Sequence, residues 1–184
     1  MGQADDEKRE VPKKTLFVTV GSYKFDELIE FVDTYEFHDF LQNEGFSKMT
    51  MQIGEGTYVP KLIYKNKDNN RKSLKRVKYF RYKKSLSEYF KKAKLILCHA
   101  GAGTTIECLR MNKKILIVVN KKLMNNHQME FAYFMQSFNY VDICENLRNL
   151  MEQIRKCLKK NTYATLPSPQ TNELFLSDLR RCYE

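Results

Sequence analysis

Residues 95–132 read LILCHAGAGTTIECLRMNKKILIVVNKKLMNNHQMEFA. Leu95–Cys98 is an unbroken apolar run of strand length, and the glycines at 101 and 103 turn it into a helical segment over Thr104–Arg110. A second apolar run, Ile115–Val119, leads into the polar loop Asn125-Asn126-His127-Gln128 and a further helical stretch, Gln128–Ser137. Two short strands that are apolar on both faces and joined through a helix make a βαβ unit with parallel pairing. Gly101-Ala102-Gly103 lets backbone approach an anion closely, and a helix start at Thr104-Thr105 offers N–H groups and a positive dipole end.

Working outward, Thr15–Val20 is a β-branched strand ended by Gly21-Ser22. Phe25, Leu28, Ile29, Val32 and Phe40-Leu41 form a helical stripe closed by Gly45, and Met49–Ile53 is a second strand stopped by Gly54-Glu55-Gly56. Val77–Phe80 is a short third strand; Leu86, Tyr89 and Phe90 form one face of a short helix. Beyond the central unit, Tyr140–Cys144 reads as a last strand, followed by a helix carrying Leu147, Leu150, Met151, Ile154 and Leu158. Strands alternating with helices predict the α/β class: a Rossmann-like, mostly parallel sheet covered on both sides. The expected division is a polar leader over 1–14, one domain over 15–160, and a linker with a tail helix over 161–184. In that tail Phe175, Leu176, Leu179 and Tyr183 recur at helical spacing after Pro167 and Pro169, as a surface for a partner or for the domain itself.

The chain has 184 residues, 42% of them hydrophobic, enough for one sizeable core. It has no apolar run near the ~20 residues needed to span a bilayer. MGQADDEKRE is too polar for a secretory signal, Asp6 stands where a myristoylation signal wants Ser or Thr, and Cys182 is one residue late for prenylation. A cytosolic chain is expected, with membrane contact peripheral or through a partner. The five cysteines form no CxxC pair and suit a reducing compartment; no metal site is expected. Residues 61–94 hold 14 Lys and Arg against Asp68 and Glu88, a local +12 within a total of +10. That block, with an apparent basic insertion at about 65–76, is either a solvated loop or a surface for an anionic membrane, a diphosphate or nucleic acid.

In an open α/β sheet, ligands bind beyond the carboxyl ends of the strands, where Gly21-Ser22, Gly54–Gly56, His99–Thr104 and Asn120–Gln128 all fall. Ile106 stands where a dinucleotide fingerprint needs its third glycine, which disfavours a nicotinamide cofactor, and no GxxxxGK[ST] is present. Glu107, about one turn into the helix, is placed to accept from ribose hydroxyls, or is a plain surface glutamate. His99 is either a packed turn histidine or a proton carrier. Asn126, His127, Gln128 and Glu130 cluster amide, imidazole and carboxylate groups suited to sugar hydroxyls.

With these residues in view, the chain resembles the small cytosolic catalytic subunit of the eukaryotic dolichol-pathway N-acetylglucosaminyltransferase, a family 28-like glycosyltransferase that adds the second GlcNAc to the lipid-linked precursor. The matching segments are FVTVGSYKFDELI (17–29), LQNEGFSKMTMQIGEG (41–56), SLSEYFKKAKLILCHAGAGTTIECL (85–109) and ILIVVNKKLMNNHQMEFA (115–132). A more distant likeness is to the donor domain of the bacterial enzyme that makes the peptidoglycan lipid intermediate.

The resemblance implies the C-terminal, donor half of a GT-B enzyme, with no tightly bound cofactor and UDP-GlcNAc as donor substrate. Gly101, Ala102, Gly103 and Thr104 would hold the diphosphate, Glu107 the ribose, and Asn126, His127, Gln128 and Glu130 the GlcNAc, with Gly21 and Ser22 opposite. It further implies inverting transfer to dolichyl-diphosphate-GlcNAc and a heterodimer with a membrane-anchored acceptor-binding subunit, which the tail contacts. Residence at the cytosolic face of the endoplasmic reticulum follows, with no role for nucleic acid. The general base is expected on the partner, with His127 and His99 as fallbacks. Family members usually carry Gly-Thr after the first strand, where this chain has Gly21-Ser22, and the basic stretch has no family counterpart. The competing reading is a non-catalytic nucleotide-sugar-binding scaffold for a membrane partner.

Overall fold

β1 (Lys14–Thr19) lies inside a six-stranded sheet of order β3-β2-β1-β4-β5-β6, with β2 Phe46–Gln52, β3 Arg76–Phe80, β4 Leu95–Cys98, β5 Ile115–Val118 and β6 Asp142–Cys144. All five pairings are parallel, so no strand is joined to its neighbour by a hairpin. The computed structural model describes residues 14–61, 74–120 and 126–168, with side chains in the last span from Gln128 onward. Most of the basic insertion, Asn125, and the tail residues Phe175, Leu176, Leu179 and Tyr183 lie outside the described residues.

Alternate strand residues feed two cores, as the period of two requires. Leu16, Val18, Met49, Met51, Leu95, Leu97, Leu116 and Val118 pack on one face against Leu28, Ile29, Leu41, Leu150 and Ile154. Those partners belong to α1 (Asp26–Val32), α2 (Tyr35–Asn43) and α6 (Leu150–Lys159). Phe17, Ile96, Cys98, Ile115 and Ile117 pack on the other face against α3 (Ser87–Lys92), α4 (Ala102–Arg110) and α5 (Asn126–Ser137).

Three expectations are corrected. The stripe from Phe25 to Leu41 is two helices: the chain breaks at Asp33-Thr34, where the Thr34 hydroxyl caps α2 by accepting from Phe37 N–H at 3.3 Å. Asp33, 2% exposed, uses the break to accept from Tyr58 Oη at 3.0 Å and from Lys61 N–H. Second, α4 begins at Ala102, two residues before the expected Thr104, because Gly101 in extended geometry serves as its N-cap. Third, among the described residues the sheet is not covered throughout. Six-residue α3 sets Tyr89 against Phe17 and Phe80, and Lys48, Arg76 and Lys78 are exposed.

After α6 the chain is tied across the amino end of the sheet. Ala164 N–H donates to Asn139 O at 3.0 Å, and Ala164 and Leu166 pack on the α4–α5 core. The part of the expected linker that is described thus lies against the domain.

Candidate functional site

The loops leaving β1, β2, β4 and β5 meet above the carboxyl edge of the sheet, and each is bonded or packed to another. Thr19 Oγ1 donates to Gln52 Oε1 at 2.6 Å and accepts from Gly21 N–H at 3.2 Å, joining the ends of β1 and β2. Glu55 N–H donates to Ser22 O at 3.2 Å. Asn120 Nδ2, past β5, donates to Lys24 O at 3.2 Å. The loop after β2 is clamped from both sides. Asp26 accepts from Thr57 N–H (3.1 Å), Thr57 Oγ1 (2.6 Å) and Tyr58 N–H (3.2 Å), while Arg81 Nη1 donates to Gly54 O and Gly56 O at 2.9 and 2.8 Å. Burial alone would raise the Asp26 pKa, but the hydrogen bonds from Thr57 and Tyr58 outweigh it and hold the carboxyl below its ordinary value.

His99 joins β1 to β4. Its imidazole fills the space a side chain would take at Gly21 and Gly101: a Cβ would lie 2.7 Å from Cε1 at the first and 2.7 Å from Nε2 at the second. Gly21 also has φ +62°, open to glycine at least cost. His99 is 7% exposed, its ring lies 5.6 Å from that of Tyr23, and its Nδ1 is buried without a hydrogen-bond partner among the described residues. Burial lowers its pKa, keeping the ring neutral near pH 7.

The wedge sets the start of α4. Thr105 N–H and Oγ1 both bond Gly101 O at 2.9 Å, so Thr105 is committed and the N–H groups that precede the first intrahelical bond are those of Ala102, Gly103 and Thr104. Among the described residues no side chain caps this helix, and a Cβ on Gly103 would meet nothing within 4 Å. An anion can therefore reach three backbone donors at the positive end of a nine-residue helix. Glu107 is exposed one turn on. Across the cleft, Asn126 and His127 occupy the first turn of α5, Gln128 is half-buried and Glu130 exposed. Among the described residues no group of His, Cys, Asp and Glu is placed to hold a metal ion, and no helix is long and apolar enough to cross a membrane.

Sequence reading gathered Gly21, Ser22, Gly101–Thr104 and the α5 residues at this edge. It missed Thr19, Gln52, Asp26 and Arg81. For Thr19 and Gln52 the available signal was a polar residue at the carboxyl end of an otherwise apolar strand.

The family described as glycosyltransferase family 28 C-terminal domain matches residues 15–180. The mouse UDP-N-acetylglucosamine transferase subunit ALG13 is 38% identical over 131 residues, 71% of this chain and 11% of that protein. The chain thus spans about a tenth of the length of this curated relative. Among solved structures, the NMR solution structure of ALG13 superposes with a TM-score of 0.65 at 23% identity, covering 94% of this chain and 98% of that one. The crystal structure of Acinetobacter baumannii MurG gives 0.59 at 18% identity, covering 86% of this chain and 43% of that one. These structural likenesses establish the α/β Rossmann-like fold shared with GT-B proteins.

Proposed function

The chain belongs to the glycosyltransferase family 28 C-terminal domain family, and from that premise we propose that it is the donor-binding, catalytic subunit of an N-acetylglucosaminyltransferase. The proposed reaction moves GlcNAc from UDP-GlcNAc to dolichyl-diphosphate-GlcNAc with inversion. The observation that carries this reading is the uncapped start of α4 beside loops already tied in place. The diphosphate sits on the N–H groups of Ala102, Gly103 and Thr104, Glu107 accepts from the ribose hydroxyls, and Asn126, His127, Gln128 and Glu130 face the sugar, with Gly21 and Ser22 opposite.

In-line attack by the acceptor hydroxyl on the anomeric carbon expels UDP, and negative charge grows on the leaving diphosphate. The fixed dipole and donors of α4 are aimed at that charge and need no reorganisation to meet it. This supplies leaving-group stabilisation from backbone. Proton removal falls to a base on a membrane-anchored partner subunit, with His127 as the fallback. The neutral, wedged state of His99 supports a positioning role for that residue. Docking on the partner through Phe175, Leu176, Leu179 and Tyr183 at the cytosolic face of the endoplasmic reticulum completes the reading.

Titration of the full chain with UDP-GlcNAc, against UDP-glucose and NADH, tests it. Selective binding that falls about tenfold or more in Glu107→Ala is expected, since a hydrogen bond to a charged group contributes roughly 1.5–3 kcal/mol. Binding by neither the folded chain nor its complex with the membrane subunit would overturn it.

A further inference from the structure

The open part of the sheet carries a second concentration of chemistry. Lys48 is paired in register with Arg76, and Thr50 with Lys78, so all four side chains share the α3 face of β2–β3. Above them Phe17 stacks against Phe80 and Tyr89, closing that face from the top. Below lies a groove of about 490 Å³ lined by Lys48, Thr50, Arg76, Lys78, Tyr89 and Lys92. Among the described residues its lining contains no carboxylate. Glu88 stands on the rim, bridging Lys92 at 3.1 Å and Lys91 at 3.6 Å. Lys48, Arg76 and Lys78 have no ion-pair partner among the described residues. Like charges brought together on neighbouring strands repel, and a bound anion relieves that repulsion.

We propose that this groove and the basic surface around it dock on the phosphate headgroups of an anionic lipid bilayer. The positive charge extends well past the groove: residues 74–94 hold nine Lys and Arg against Glu88 alone. Lys75, Lys83, Lys84, Lys91 and Lys94 are all exposed. Tyr82, 53% exposed beside Lys83 and Lys84, adds the amphipathic ring that favours a headgroup layer. An acidic peptide adding to the β3 edge would need pockets for alternate side chains. The groove instead presents cations at Lys48, Arg76 and Lys78, which suits phosphates without side-chain readout. The inference is independent of the donor-site reading, because the groove lies on the sheet face and the donor loops lie at the strands' carboxyl ends.

Flotation of the full chain with vesicles of phosphatidylcholine, with and without about one-third phosphatidylserine, tests the proposal. Binding only to the anionic vesicles, falling with added salt, is expected. Each basic contact at such a surface contributes roughly fivefold, so Lys48→Gln with Arg76→Gln and Lys78→Gln should weaken binding about a hundredfold. That variant should keep wild-type UDP-GlcNAc affinity, which separates this proposal from the donor reading. A control with the same charge loss elsewhere, Arg110→Gln with Arg148→Gln and Lys159→Gln, should lose far less. Equal loss in both variants would assign the effect to net charge and overturn the groove. Equal binding to neutral vesicles, or capture by poly-glutamate or RNA without vesicle binding, would overturn the proposal too.

Discussion

At the amino end of β5, Lys114 Nζ donates to the carbonyls of Cys157 and Leu158, both at 3.1 Å, and of Lys160, closing the end of α6. At the carboxyl end of β4, the first N–H groups of α4 have no such cap. Both ends of the sheet are rich in polar groups, and the contrast lies in whether those groups are used up. Around Lys114, Asp142 accepts from Lys160 Nζ at 2.8 Å and from Tyr163 Oη, and Cys157 Sγ lies 3.1 Å from the same hydroxyl. Burial and these neighbours push the Tyr163 phenol far up, and burial raises the Cys157 thiol to about 11. Strongly shifted titration is here a sign of structure, since structural networks shift pKa values as well as active sites do. Open valence on a rigid frame separates the candidate site from the brace.

The largest effect that can break this comparison is at the His99 wedge. Gly21→Ala forces a Cβ to 2.7 Å from His99 Cε1 at a φ of +62°. Overpacking of about 1–3 kcal/mol adds to a left-handed backbone cost of roughly 1–2 kcal/mol. Urea denaturation should show a loss of a few kcal/mol together with lost UDP-GlcNAc binding; an unchanged midpoint would remove the wedge from the account. Next, Lys114→Met strips three carbonyls of their donor. A loss of about 2 kcal/mol is expected from partly uncapped helix carbonyls, with donor affinity unchanged in the folded variant. If affinity fell too, the two ends would not be independent.

Asp26→Asn should cost about 1 kcal/mol by weakening the clamp on residues 57–58. The folded pKa of Asp26 is depressed, so its stabilising contribution is complete above the ordinary carboxylate range near 4 and is lost as pH falls through the lower folded value. Thermal midpoints of the wild type and Asp26→Asn should therefore converge on acidification below about pH 4; a constant gap would count against the clamp. The smallest stability effect belongs to Glu107→Ala, within about 0.5 kcal/mol as for an ordinary surface change, even though it costs most of the donor affinity. A large fall in its melting midpoint would reclassify Glu107 as part of the frame.

The legibility of the sequence followed the same division. Leu95–Cys98 and Ile115–Val118 were readable because strands buried on both faces leave continuous apolar runs. The break at Asp33-Thr34 was hidden because Val32 and Phe40 keep an apolar stripe across two helices, and only the Thr34 cap marks the restart. The start of α4 was misplaced because an N-cap without a side chain, Gly101, gives no polar signature. At the site, residues facing the cleft announce themselves as polar groups in a glycine context. Those that hold it, Asp26 and Arg81, act on loops 25 to 32 residues away, a relation only the fold creates.

β1 is flanked by β2 and β4, both made later, and Leu16 finds its second partner only at Leu95. On the ribosome, at about 5–20 residues per second, β1 waits roughly 4–16 s between its own synthesis and the arrival of β4. Through that interval LFVT presents an unpaired apolar edge, and no hairpin is available to shield it. Yield in a cell should therefore depend on how well the nascent chain is protected before residue 98 emerges, separately from how stable the finished sheet becomes.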